Sequence, residues 1–249
     1  MKMPITTVFR RKALALLFSA VSLAGVGHLN AQNAVSNLGQ GASNGNAPIG
    51  NFGGDLRSRI FSFTTGASAS SFDFSSITTS FNTGGGSPPA LTVGLYSAFD
   101  PTTSAGVNTL VTSLSLSTGN PVAAGNAVFT GTASLLPSTI YYLSFSAGTP
   151  PTGNYYSLSL HNSYNEDGGG LAGWTIANGH WLNYPNFGVT PTELWSFDPS
   201  AVQFSIQATA SAIPEPSTYA AIAGAAMLGL AVWQRRRGKA ATVTAPVAS

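Results

Sequence analysis

The stretch Ala90-Leu91-Thr92-Val93-Gly94-Leu95-Tyr96-Ser97 shows the pattern on which most of this chain is built. Leu91, Val93 and Leu95 occupy every second position, and small or polar residues stand between them. Successive side chains of an extended strand point to opposite faces, so this spacing places all three on one face. The stretch therefore predicts a β-strand with one buried face.

The same alternation recurs throughout residues 32–211, which form a body of about 180 residues, enough for one domain with a sizeable core. Further alternating blocks lie at 60–63, 72–81, 110–116, 128–135, 139–146, 156–160 and 202–206. Turn-forming Gly, Pro, Asn and Ser residues separate them, and no stretch has a helical period with caps. Eight or more short strands between such turns predict an all-β fold, an antiparallel β-sandwich.

Residues 1–31 have the form of a secretory signal peptide. A basic segment without acidic residues is followed by an apolar run at 13–26, and we expect cleavage after Ala31. The basic residues are Lys2, Arg10, Arg11 and Lys12. This signal helix is excluded from the fold of the body, because export removes it.

A second apolar segment occupies 217–233 near the other end of the chain. Its 17 residues would span roughly 25 Å as a helix, the short end of the range for crossing a membrane. The segment is rich in alanine, so its hydrophobicity is modest. We predict a short transmembrane helix here, with residues 240–249 as a cytoplasmic tail; a soluble alanine-rich helix is the alternative.

Short motifs flank this segment on both sides. Pro214-Glu215-Pro216 precedes it, and Arg235-Arg236-Arg237 follows it as the positive stop that stays on the cytoplasmic side. In order and spacing, residues 212–239 resemble the PEP-CTERM sorting signal, which is also labelled ice-binding protein C-terminal. The resemblance implies cleavage near Pro-Glu-Pro by an exosortase and delivery to the surface or extracellular matrix of a Gram-negative-type bacterium. The longer tail after Lys239 departs from the usual pattern.

The charge of the body differs from that of the whole chain. Eight of the ten Lys and Arg residues lie in the two terminal signals, which leaves only Arg57 and Arg59 in the body. The body also contains seven Asp and Glu residues, so its net charge is −5. Nucleic-acid binding is excluded as a function, because it needs clustered cations to neutralise phosphates. Cysteine is absent, so disulfides do not stabilise the exported body.

The order of motifs in the body suggests a second family. The segments 34–40, 60–66, 91–97, 136–143, 173–176 and 202–206 together resemble the choice-of-anchor R extracellular domain. That resemblance and the strand number favour a jelly-roll-like arrangement over an immunoglobulin-like one. It implies a location at the cell surface, and it supplies no catalytic residues.

The body offers little catalytic or metal-binding chemistry. His161 and His180 belong to no zinc-binding spacing, and no nucleophile elbow is present, so we predict no catalytic residues, no metal and no cofactor. One enzymatic alternative is a matrix glycoside hydrolase in which Glu166 or Asp167 acts with Glu193 across a cleft.

Aromatic residues and asparagines interleave between residues 155 and 195. Ring faces stack on sugars while amides hydrogen-bond to hydroxyls, so Trp174, Trp181 and Tyr184 are candidate glycan contacts. The competing interpretation places Trp174 and Trp195 in the core and the other aromatic residues on long loops. The sequence thus predicts an exported, non-enzymatic surface or matrix protein with a structural or adhesive role, associated with exopolysaccharide. Its partners would be an exosortase, the membrane and that polymer; a carbohydrate-binding module is the alternative.

Overall fold

A computed structural model describes residues 31–41, 45–119, 121–161, 166–183, 195–211 and 216–240. Predictions that fall elsewhere, among them the signal peptide, Tyr184, Glu193, Pro214 and Glu215, lie outside the described residues. Thirteen strands occupy the described body. They are β1 (Gln32–Ser36), β2 (Asn46–Phe52), β3 (Asp55–Thr64), β4 (Phe72–Gly85), β5 (Thr92–Phe99), β6 (Val107–Thr118), β7 (Gly125–Leu135), β8 (Ile140–Ser146), β9 (Tyr155–His161), β10 (Thr175–Asn183), β11 (Trp195–Asp198), β12 (Ala201–Val202) and β13 (Phe204–Ala210).

All strand pairings are antiparallel, and eight strands form a closed ring. The ring runs β4–β7–β6–β5–β8–β3–β2–β9, and the pairing of β9 with β4 closes it. β3 and β4 are long enough to change partners: β13 joins the first part of β4, and β10 joins the later part of β3. The predicted all-β antiparallel class is confirmed, whereas a two-sheet jelly-roll arrangement is not confirmed by this strand order.

The inward positions of the ring carry a phenylalanine-rich core. The alternation predicted for 90–97 and 139–146 is confirmed, because Val93, Leu95, Leu143 and Phe145 are buried. Phe61 packs against Phe145 at 5.2 Å and against Phe204 at 4.9 Å between ring centroids. Burial of these rings is the main stabilising contribution, at roughly 25 cal/mol for each Å² removed from water.

One helix, α1 (Pro216–Ala240), follows the body and covers the segment predicted to be helical. Its apolar side chains Ile222, Met227 and Leu228 are each more than half exposed. Arg235 is exposed as well, and Arg236 and Arg237 continue the helix. In the part of the chain that the structure describes, no helix is both long and apolar enough to span a membrane.

Candidate functional site: an outward aromatic cluster

Rings from three distant parts of the sequence meet on the outer surface of β5, β8, β3, β10 and β11. We call this group the aromatic cluster; its members are Tyr96, Phe99, Tyr142, Trp181, Trp195 and Phe197. Strand register explains the meeting. Tyr96 is paired with Tyr142, and Trp181 is paired with both Ile60 and Phe197, so these side chains share the face opposite the core.

Contacts between rings make the cluster continuous. The Phe99 ring lies 5.5 Å from that of Tyr142 and 5.0 Å from that of Trp181, and Phe197 contacts Trp181 at 5.2 Å. The planes are tilted by 31° to 61° in these three pairs, an arrangement that aromatic quadrupoles favour. Phe197 remains 50% exposed. The other rings of the cluster are buried or half-buried against Ile60 and Val107, so Phe197 carries its exposed apolar surface.

The tip of the β5–β6 hairpin folds over this face and holds Trp195 beneath it. The Trp195 indole N–H donates to the Thr103 carbonyl at 3.0 Å, and the Asn183 amide donates to the Ser104 carbonyl at 3.3 Å. Gly106 has a φ of +70°, and a Cβ there would lie 2.4 Å from the Trp195 ring. Only glycine combines this backbone conformation with so close an approach.

A polar group lies on the inner side of the same strands. The Arg59 guanidinium donates to His180 Nε2 at 2.8 Å, so the imidazole carries its proton on Nδ1 and donates it to the Ser200 carbonyl. Burial and the nearby Arg59 charge lower the pKa of His180 to about 4. Asp198 lies 3.9 Å from the imidazole. This group anchors β10 and β11, which carry three rings of the aromatic cluster.

The structure separates the three predicted glycan contacts. Trp181 belongs to the aromatic cluster, whereas Tyr184 lies outside the described residues. Trp174 requires a correction: it is only 3% exposed, and its ring stacks on Phe63 at 5.6 Å and meets the edge of Phe72 at 5.1 Å. Its face is covered by the core, so Trp174 cannot contact a ligand on the surface.

Glu166 and Asp167, the carboxylates of the hydrolase alternative, hold other parts of the body. Asp167 accepts hydrogen bonds from the Ser36 hydroxyl, the Gly39 N–H and the Gln40 amide at 2.6 to 3.0 Å. Burial favours a higher pKa for Asp167, but these bonds outweigh it and the pKa lies below its usual value. Glu166 accepts from the Ile176 N–H. The loop thus fastens β1 to the body.

Sequence reasoning overlooked Tyr96, Phe99, Tyr142 and Phe197. A signal was present, because Tyr96 and Tyr142 stand at the outward positions of strands whose inward residues were identified correctly. Among the described residues, no group of three or more histidines and carboxylates could hold a metal ion. No protein-family model matches the chain, and no curated protein matches it in sequence.

Proposed function

We propose that this protein is an exported, non-enzymatic adhesive protein that holds polysaccharide at the cell surface or in the extracellular matrix. The observation that carries the proposal is the outward aromatic cluster. Phe197 remains half exposed beside Trp181, and exposed rings of this kind stack on the C–H faces of sugars. Hydroxyls of Ser62 and Ser144, at outward positions beside Tyr142 and Ile60, supply hydrogen-bonding groups at the edge.

The hydrolase alternative receives less support. Glycosidase chemistry needs two carboxyl groups facing each other across a substrate. Asp167 instead accepts a hydrogen bond from Ser36 of β1, and Glu166 accepts one from the N–H of Ile176 in β10. Neither carboxyl group is therefore placed to act as a general acid. We therefore propose a binding role without catalysis. The alternative, a carbohydrate-binding module, differs from it only in that the bound carbohydrate is soluble.

Polysaccharide binding is tested with the protein purified from its host and exopolysaccharide immobilised from the same cells. We expect Phe197→Ala and Trp181→Ala to weaken retention about tenfold, which corresponds to roughly 1.4 kcal/mol. Phe197 is half exposed, so its removal leaves the core unchanged. Thr130→Ala, on an exposed position of β7, is the matched control. Equal retention of all four proteins would refute the proposal.

For localisation, we propose a sorting route through an exosortase with a transient membrane stage. The order Pro214-Glu215-Pro216, apolar helix and Arg235-Arg236-Arg237 supports it, as do the exposed apolar side chains of α1. Mass determination on membrane, surface and medium fractions tests the route. A product that begins near Gln32 and ends near 214–217 is expected; a product that retains Arg235 in the membrane fraction would indicate a permanent anchor instead.

We also propose that the closed sheet is flattened into two packed layers, as the predicted sandwich requires. Contacts across the body support this arrangement: Phe61 of β3 meets Phe204 of β13, which is paired with β4, and Phe129 of β7 meets Phe145 of β8 at 5.5 Å. An experimental structure would test it, and a round cross-section with a central cavity would contradict it.

A further inference from the structure

The turn between β7 and β8, residues 136–139, carries exposed apolar side chains at one end of the body. Leu136 is 63% exposed, which makes it the most exposed large apolar side chain of the described body. Ile140, the first residue of β8, follows the turn and is 49% exposed. A single exposed apolar residue is ordinary, but two that flank one short turn form a local apolar patch.

Hydrogen bonds hold this turn in one shape. The Thr65 hydroxyl donates to the Leu136 carbonyl at 2.7 Å and accepts from the Thr139 N–H at 3.0 Å. The Leu136 N–H donates to the Tyr141 hydroxyl at 2.8 Å, and Ser138 adopts a φ of +50°, which is uncommon outside glycine. Inward rotation of Leu136 would break both of its backbone bonds. The exposure of its side chain is therefore part of the folded structure.

The chain leaves the body at the same end. Phe72, the first residue of β4, is paired with Leu135 of β7 on one side and with Ala210 of β13 on the other. Because neighbouring strands lie about 4.8 Å apart, Leu135 and Ala210 end their strands about 10 Å from each other. Leu136 and the C-terminal exit of the body are thus neighbours.

Four residues, 212–215, link this exit to α1. The Ser211 N–H donates to the Ser71 carbonyl at 2.9 Å, so the body extends to this residue. An extended chain spans at most about 3.6 Å per residue, which keeps Pro216 within about 18 Å of Ser211. α1 carries exposed apolar side chains, and a lipid surface that receives them comes within reach of Leu136.

The segments at this end of the body are almost uncharged. Residues 65–71 and 136–140 contain no Asp, Glu, Lys or Arg. Asp73 is the carboxylate beside the chain exit, and it accepts a hydrogen bond from the Ser211 hydroxyl at 3.3 Å. Charged side chains are costly to move into lipid, whereas leucine and isoleucine favour the transfer. The turn thus suits a lipid surface and offers no cation to an anionic headgroup.

We propose that the β7–β8 turn contacts the lipid surface that holds α1, with the Leu136 and Ile140 side chains inserted into it. The inference rests on the proposed membrane stage and adds the end of the body that faces the membrane. The contact would supplement α1, whose hydrophobicity is modest because it is rich in alanine. Stable attachment commonly needs two such contributions, so cleavage that removes α1 would release the body.

Site-directed labelling tests this orientation, because the chain contains no cysteine and each introduced one is unique. Leu136→Cys reports on the turn, Met227→Cys on α1 and Phe52→Cys on the far end of the body. Each variant is isolated with α1 intact from the membrane fraction of its host and labelled with a polarity-sensitive dye. It is then placed in vesicles of phosphatidylcholine and phosphatidylglycerol, with or without a quencher attached to the lipids.

Phe52 is the matched control for the turn. It is also an exposed apolar residue, and it is paired with Asp55 at the start of β3, whereas Ile140 is paired with Thr64 at the end of that strand. The ten residues of β3 separate the two ends by about 30 Å. We expect the quencher to reduce dye emission at positions 136 and 227 and to leave emission at position 52 unchanged.

Vesicle flotation measures how much the turn contributes. The double variant Leu136→Ser, Ile140→Ser should bind vesicles about tenfold more weakly than the unmodified protein. Leu110→Ser, which removes a leucine that is 54% exposed on β6, should bind as the unmodified protein does. Circular dichroism checks that each variant keeps its fold, as expected for exposed side chains. Equal binding of the double variant and the unmodified protein would overturn the inference.

The labelling outcomes separate this inference from the membrane stage on which it rests. Quenching at Met227→Cys without quenching at Leu136→Cys would overturn the contact of the turn and leave the membrane stage intact. Equal quenching at Leu136→Cys and Phe52→Cys would also overturn it, because the body would then have no preferred end toward the lipids. Absence of quenching at Met227→Cys would overturn the membrane stage itself.

Discussion

The outer surface of β13, β4 and β7 contrasts with that of β5, β8, β3, β10 and β11. On the first, which we call the hydroxyl side, register aligns one row of small polar side chains: Gln207, Ser76, Thr130 and Ser115, the last from β6. On the second, which we call the aromatic side, the corresponding rows carry the aromatic cluster. Both sides bury phenylalanines inward.

This difference shows which positions encode the fold and which encode a surface property. Inward residues are alike on both sides because the same core must be filled. Outward positions are free to vary, and hydroxyl-bearing residues are ordinary there. The aromatic side instead packs large rings together outside the core and leaves the Phe197 ring half exposed, which is why we propose a ligand there. Substitutions in the shared interior should therefore have larger effects on stability than substitutions on either outer surface.

The largest effect is expected for Phe61→Ala, because Phe61 contacts the cores of both sides. Removing a fully buried phenylalanine side chain lowers the free energy of unfolding by about 3 to 5 kcal/mol. Urea unfolding followed by circular dichroism measures this loss. Phe197→Ala, which removes a half-exposed ring, is the control, and its free energy of unfolding should fall by less than about 1.5 kcal/mol. Comparable losses would mean that the cluster belongs to the core.

As the pH falls, the aromatic side should lose stability at a higher pH than the hydroxyl side. The pKa of His180 is about 4 in the folded protein and 6.5 when unfolded. The unfolded chain therefore binds a proton first as the pH falls through 6.5, and stability is lost progressively until about pH 4. The loss amounts to about 3 kcal/mol.

Hydrogen exchange at pH 7 and pH 4.5 measures where this loss appears. The amide hydrogens of β10 and β11 should be less protected from exchange at the lower pH, while the protection of those in β4 and β7 should change less. His180→Gln should remove the difference, and His161→Gln should retain it. Uniform opening of both sides would contradict the assignment of this acid sensitivity to His180.

Gly106→Ala should loosen the hairpin tip on the aromatic side. The left-handed φ of +70° and the proximity of the Trp195 ring both oppose a side chain, and we expect a loss of about 2 kcal/mol. Trp fluorescence should shift to longer wavelength as water reaches Trp195. Gly125→Ala is the matched control, since Gly125 also has a positive φ but open space around it. An equal loss of stability in the two variants would mean that backbone strain alone, and not the contact with Trp195, causes the effect.

The smallest effect is expected for Thr130→Val on the hydroxyl side. Thr130 is exposed, and its hydroxyl makes one long hydrogen bond of 3.4 Å to Ser115. Stability should change by less than about 0.5 kcal/mol, and glycan retention should be unaffected. A loss of retention would show that ligands also bind the hydroxyl side.

Local pattern predicted much of this fold, because period-two alternation depends only on neighbouring residues. The strand around Leu95 and the one around Leu143 follow directly from it, and so does their burial. The closure of β4 on β9 could not be predicted, since it pairs Phe81 with Leu158, which lie far apart in the sequence. Such pairings depend on the register of every strand between them.

The candidate site was only partly accessible to sequence reasoning for the same reason. Trp181 was identified from its aromatic surroundings, but its neighbour Phe99, which also contacts Tyr142, lies far away in sequence. Trp174 was named as a candidate surface contact because its segment is rich in polar and aromatic residues, while the competing interpretation placed it in the core. It is buried because Gly66 allows the backbone at Ala172 to approach closely, which brings the indole onto Phe63.

The pairing of β1 with β13 has a consequence for the timing of folding. Gln32, near the first residue of the body, lies beside Ala208, near the last. A chain threaded through a membrane from its N-terminus would hold β1 without a partner until almost all of the body had crossed. β1 would then join the sheet in a late step, after β13 has emerged.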